Sequence, residues 1–195
     1  NWSQAYTDTA YDHPPGVLIR DTCNYKTTGL ETTVCYWMTW LSPGVLFANY
    51  NDIVATRSTD SGQMWNFDVY GLDSNVINDV NMTLMHLPTG KLYAACGEVP
   101  GSNGDYSDAR AALSRGRISV STDSGKVWTT LKSFGHAVTS MAFDPASANG
   151  MYITISDAMG GIGDVYHCND IINTPGSWTR LTSPPRTQNR AQKIV

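Results

Sequence analysis

The chain has 195 residues with a net charge of −4, and only 15% of them are charged. Helical proteins draw on Lys, Glu and Arg for their solvent faces, so this shortage argues against a mainly helical fold. Thr, Ser, Tyr, Trp, Val and Gly, which suit pleated half-buried surfaces and tight turns, abound instead. No basic run marks a nucleic-acid surface. No apolar stretch approaches the roughly 20 residues of a membrane span; the longest, Val45-Leu46-Phe47-Ala48, is strand-sized.

In chain order, short apolar and β-branched runs bounded by Gly, Pro, Asn and Asp predict strands. The chain opens on Asn1-Trp2-Ser3 without a Met or a signal peptide, so it is expected to begin after processing or inside a longer polypeptide. Residues 1–8 read as the last strand of a preceding unit. A first complete unit, 16–70, has strands expected at 16–20, 33–38, 52–57 and 64–67. A second, 79–133, has them at 80–85, 92–96, 117–121 and 127–131. A third, 137–182, has them at 138–143, 151–155, 164–167 and 177–181. Pro88-Thr89-Gly90 and the run 144–150 separate first from second strands in the later units. Residues 189–195 read as the first strand of a following unit. The one helical turn anticipated lies within 107–114.

These units carry an internal repeat. Ser58-Thr59-Asp60-Ser61-Gly62-Gln63-Met64-Trp65 returns as Ser121-Thr122-Asp123-Ser124-Gly125-Lys126-Val127-Trp128. A worn copy runs from Cys168-Asn169-Asp170 to Gly176-Ser177-Trp178, and Asn1-Trp2-Ser3 resembles the tail of another. Trp2, Trp65, Trp128 and Trp178 recur at intervals of 63, 63 and 50 residues. A propeller blade needs about 40 to 50 residues, which leaves room for loop insertions. Glycine permits the turn, the aspartate accepts hydrogen bonds from turn N–H groups, and the tryptophan has a large ring to bury.

The pattern Ser-x-Asp-x-Gly-x-x-Trp resembles the Asp box, or bacterial neuraminidase repeat, of sialidases, xyloglucanases, sortilin-type receptors and photosystem assembly factors. The resemblance implies an all-β chain: a β-propeller of four-stranded antiparallel blades. About three blades are present, with flanking strands. Closing such a ring takes about four blades or more, so the chain is expected to be part of a larger propeller, completed by the rest of a longer chain or by other subunits. The resemblance also makes Ser58, Asp60, Gly62, Trp65, Ser121, Asp123, Gly125, Trp128, Asp170 and Trp178 structural residues of a rim turn, away from any substrate face.

Other candidates are weighed on their own chemistry. Cys23 and Cys35 flank Gly29 about equally, as cross-strand partners in a hairpin and a possible disulfide would; Cys96 and Cys168 read as buried thiols. Asn1 and Asn81 head Asn-x-Ser/Thr sequons. His13, His86, His136 and His167 lack metal-site spacing, and neither a metal nor a cofactor is implied. A glycosidase needs two carboxyls roughly 5 to 10 Å apart. The strand-end acids are Asp21, Asp144 and Asp157. Asp21 and Asp157 are the catalytic candidates, and Asp144-Pro145 reads as a turn initiator. Arg20, Arg57, Arg117 and Arg180 show no carboxylate-clamping triad. Tyr36, Trp37, Trp40, Phe47 and Tyr50 suit a sugar-stacking platform or packing between blades, with Trp37 and Trp40 on opposite faces. The leading expectation is an exported or cell-surface module that binds glycans or proteins without catalysis. The alternatives are a fragment of a xyloglucanase- or sialidase-like glycoside hydrolase, and an assembly subunit.

Overall fold

The structure is a computed structural model that describes residues 24–25, 35–50, 53–72, 80–98, 115–157, 161–182 and 194. Among these residues every regular element is a strand. The first sheet holds β1 (Asn24–Tyr25), β2 (Cys35–Ser42), β3 (Val45–Tyr50), β4 (Ala55–Ser58) and β5 (Trp65–Asn66). The second holds β6 (Val80–His86), β7 (Lys91–Glu98), β8 (Arg115–Ser121) and β9 (Thr129–Ser133). The third holds β10 (Val138–Phe143), β11 (Met151–Ile155), β12 (Asp164–Cys168) and β13 (Thr179–Arg180). The last two sheets are plain antiparallel meanders, β6-β7-β8-β9 and β10-β11-β12-β13. The first has the same meander, β2-β3-β4-β5, with β1 added outside β5.

The second and third meanders lie where the sequence places them. The first does not. Its first strand is Cys35–Ser42, expected as a second strand, and Val45–Tyr50, not assigned a strand, is the second. The reason is the tight turn at Pro43-Gly44, where Gly44 takes φ +82° and folds one apolar stretch into a hairpin. Asn24 and Tyr25 pair with Asn66 and Trp65 at the far edge of that sheet from β2. The hairpin that suggested a Cys23–Cys35 bond is therefore not the pairing found. Cys23 itself lies outside the described residues, as do 16–20 and 107–114.

Period-two alternation explains the stacking. β7 is buried on both faces: Leu92, Ala94 and Cys96 join Leu41, Phe47, Leu72 and Trp128 in a core against the first sheet. Tyr93 and Ala95 join Met82, Ile118, Met141 and Ile153 in a core against the third. The consecutive small residues Ala94 and Ala95 allow sheets to approach from both sides. The innermost strands also touch, with the Thr39 and Thr83 hydroxyls 2.7 Å apart and Thr83 donating to Asn49 Oδ1 at 2.9 Å. Outside, the segment 67–72 leaves β5 and clasps the second sheet. Tyr70 N–H donates to Lys126 O at 2.8 Å and Trp128 N–H to Tyr70 O at 2.9 Å, while Arg117 Nη2 donates to the carbonyl of Leu72.

Meander topology also sorts the connections by end. The turns after β2, β6 and β10 share one end with the repeat turns after β4, β8 and β12. The links after β3, β7 and β11 emerge at the opposite end.

Candidate functional site

The repeat turns are built alike. Ser58 Oγ donates to Asp60 Oδ1 at 2.9 Å and accepts Gly62 N–H at 2.9 Å. Asp60 Oδ1 accepts Met64 N–H at 2.9 Å, and the Trp65 indole donates to Gly62 O at 3.1 Å. Ser121, Asp123, Gly125, Val127 and Trp128 repeat this at 2.7, 3.0, 2.9 and 2.7 Å. Burial pushes the Asp123 carboxyl up, but the Val127 N–H, the Ser121 hydroxyl and the Lys126 N–H outweigh it, so the group lies below the usual carboxylate range. The third turn keeps the plan with other atoms. Cys168 stands for the serine, Asp170 Oδ1 accepts Ile172 and Asn173 N–H at 3.0 Å each, and the Trp178 indole donates three residues back, to Pro175 O at 2.8 Å. Asn173, through its side chain first, holds Asp170 below the usual range. These aspartates are spent on their own turns. Trp128 is buried against Phe47 with ring centroids 5.5 Å apart, Trp178 is edge-on to Phe134 at 5.4 Å, and Trp65 is only partly buried.

The opposite end carries Asp157. Its side chain is 0% exposed, accepts Ile162 N–H at 3.2 Å, and lies 3.8 Å from His136 Nδ1. Beside it, the buried Asp164 accepts from Arg180 Nε at 3.2 Å, and the Tyr166 hydroxyl donates to Ile162 O at 2.7 Å. Burial first, eased by Arg180 and reinforced by Asp164 and Asp157, raises the Tyr166 hydroxyl. This arrangement anchors the β11–β12 connection through a carboxylate that water does not reach.

Asp144 sits at the other end of β11, with the repeat turns. Its Oδ1 accepts Ala146 N–H at 2.8 Å, the turn-initiating role expected of it. Its Oδ2 takes His167 Nε2 at 3.0 Å and the Tyr152 hydroxyl at 3.4 Å. Sequence reasoning missed this cluster; the only signal was that Tyr152 and His167 fall on strands expected to pair. The five residues of β11 separate Asp144 from Asp157 by about 17 Å of strand. The two do not form a glycosidase pair, which needs roughly 5 to 10 Å.

The other candidates are dispersed. Arg57 grips Asp68 with Nη2 at 2.6 Å and Nε at 3.3 Å, Arg117 serves the clasp, and Arg180 serves Asp164, so these three form no triad. Trp37 packs on the core between the second and third sheets, while Trp40 is 64% exposed, on opposite faces as expected. Phe47 is a core residue. His86 bonds Thr89 Oγ1 at 2.8 Å and Ala148 O at 2.7 Å. Thr83 of the Asn81 sequon is buried, its hydroxyl held between strands. Cys35, Cys96 and Cys168 carry free thiols. No group of three or more His, Cys, Asp or Glu suits a metal ion among the described residues, and no helix there is long and apolar enough to cross a membrane. Asn1, His13, Arg20 and Asp21 lie outside the described residues.

No family model and no curated protein matches the chain. Solved structures do. A GH74 enzyme of Niastella koreensis is 15% identical with TM-score 0.55, over 80% of this chain and 24% of its own. The GH74 xyloglucanase of Xanthomonas campestris is 13% identical with TM-score 0.53, over 76% and 21%. An ancestral GH74 enzyme is 15% identical with TM-score 0.50, over 76% and 18%. The chain thus spans about a fifth of the length of these enzymes. Taken with the three stacked meanders, the likeness gives the fold: an all-β run of three successive antiparallel blades of a β-propeller.

Proposed function

We propose that these blades belong to a longer, exported propeller protein and serve it as scaffold and as one wall of a glycan-contacting end, without supplying a catalytic pair. The observation that carries this is the state of the acids. Asp157 is buried and tied to its own loop, and Asp144 lies a strand length away. The likeness to a GH74 xyloglucanase makes xyloglucan the first ligand to try. The end bearing Asp157 is the surface to probe; the exposed Trp40 is the cross-strand neighbour of Leu46, beside the repeat turn, and lies at the other end. Calorimetric titration of the native protein with xyloglucan oligosaccharides is expected to give binding that Trp40→Ala, at the other end, leaves unchanged; no binding, or binding lost in Trp40→Ala, would overturn this reading.

A second reading is favoured by the same likeness: a glycoside hydrolase in which Asp157 is one of two carboxyls, the other outside these blades. Asp157→Asn decides between them. A loop anchor loses thermal stability on this change but leaves any hydrolysis by the native protein within a few-fold. A catalytic carboxyl loses about a thousandfold or more at unchanged folding, and that result would overturn the first reading.

A further inference from the structure

One position on the second strand of each blade recurs. Leu46, Leu92 and Met151 pair with Ser58, Ser121 and Cys168, which open the three repeat turns. That register makes Phe47, Tyr93 and Tyr152 equivalent. Phe47 lies beneath the repeat turn of the second blade: Trp128 packs on it, and a Cβ on Gly125 would fall 2.7 Å from its ring. Tyr93 faces the third blade, edge-on to Phe143 at 6.1 Å. Burial, then the charges of Asp170 and Cys168 in the third repeat turn, push its hydroxyl up to about 12.

Tyr152 is the third member. It is the cross-strand neighbour of Ala142 and His167, on the face of the third blade turned away from the second. Its ring stacks on His167 at 4.3 Å, and Asp144 pins both. With Pro145, Val165 and Leu181 it lines an open, mainly apolar groove of about 580 Å³.

The innermost strands recur as well. Ser140 Oγ approaches Met82 Sδ at 3.6 Å, joining the second blade to the third. Leu84 pairs with Tyr93 as Ala142 pairs with Tyr152, so Ser140 is the counterpart of Met82 one blade on. The Ser140 hydroxyl in turn accepts Ile194 N–H and donates to Ile194 O, each at 3.3 Å. Ile194 also lines the groove.

We infer that the far face of the third blade seats a fourth blade of the same polypeptide. Ile194 marks the place of its innermost strand, and Tyr152 receives its repeat turn, glycine and indole included, as Phe47 receives Gly125 and Trp128. The inference rests on the reading of the chain as part of a longer propeller, and it is independent of any glycan.

Hydroxyl-radical footprinting of the native protein without glycan, together with its intact mass, tests this. Leu181 is 37% exposed here, Leu87 79% and Leu92 1%; Tyr93 is 1% exposed and Tyr70 38%. Under a fourth blade, Leu181 is oxidised at the rate of Leu92, at least about tenfold below Leu87. Tyr152 follows Tyr93 rather than Tyr70, and the mass exceeds 21.3 kDa. Leu181 reacting within a few-fold of Leu87 overturns the inference. So does protection that disappears on dilution, because the occupant is then a second copy. Failure of glycan binding alongside a protected Leu181 would fault the ligand reading and leave the fourth blade standing.

Discussion

Gly62 and Gly125 share a left-handed backbone, with φ +87° and +86°, each following a serine that is also left-handed. Their surroundings differ. A Cβ at Gly62 meets only the Trp65 ring at 3.6 Å, whereas at Gly125 it strikes Phe47 at 2.7 Å and Leu92 at 3.3 Å. Gly62→Ala is therefore expected to cost about 1 kcal/mol from backbone strain alone. Gly125→Ala adds overpacking and is expected to cost roughly 2 to 4 kcal/mol. Urea unfolding of the two variants measures the difference. The aspartates give a pH signature. The folded Asp123 carboxyl lies below its usual range, so its stabilisation is complete above the unfolded pKa and is lost as pH falls through the lower folded value. Asp123→Ala is expected to lower the melting temperature at neutral pH, with the gap closing below about pH 4. At this scale the sequence was readable: five consecutive identities announced two turns. The third was harder because Trp178 stands eight residues after Asp170, where Trp65 and Trp128 stand five after theirs, yet the indole bond still reaches three residues back.

Strands succeed or fail as readings according to their turns. The hairpins β6–β7 and β10–β11 turn through longer connections containing Pro88 and Pro145, which separate their strands plainly in sequence. Pro43-Gly44 turns within two residues, so β2 and β3 run together as one apolar stretch and the first two strands of the first blade shift, while β4 and β5 keep their expected places. Pairing of β1 with β5 was not legible, because nothing local in Asn24-Tyr25 reports a partner forty residues away. The clasp of segment 67–72 is likewise a tertiary feature. Its hold depends on Arg117 reaching the carbonyls of Gly71 and Leu72. Arg117→Met keeps the aliphatic stem and removes both bonds. It is expected to speed amide exchange at Tyr70 and Trp128 by about tenfold or more while leaving the third blade unchanged, read by hydrogen-exchange mass spectrometry.

At the scale of the molecule, two cores are divided by one strand. Leu92, Ala94 and Cys96 serve the first seam and Tyr93 and Ala95 the second. Ala94→Leu is expected to overpack the first seam and Ala95→Leu the second, each by about 1 to 3 kcal/mol. The double variant should be close to additive if the seams are independent, which denaturant unfolding of the three variants checks. Function was the least legible level. A pair of carboxyls across a propeller end is assembled from different blades, and no motif in one strand announces it. Asp157 looked available in sequence because it stands at a strand end, but its burial and its bond to Ile162 became visible only with the fold.

The two faces of β7 also bear on how such a chain arises. The first two blades present the same kind of seat to their successors, an aromatic on the second strand: Phe47 under the next repeat turn, and Tyr93 against the third blade. A gene that copies one blade therefore copies a complete set of joining instructions, and the array lengthens without redesigning any interior residue. Only the terminal faces need new sequence. Drift is free to proceed there and in the insertions that stretch two of the tryptophan intervals to 63 residues, while the seams hold their spacing.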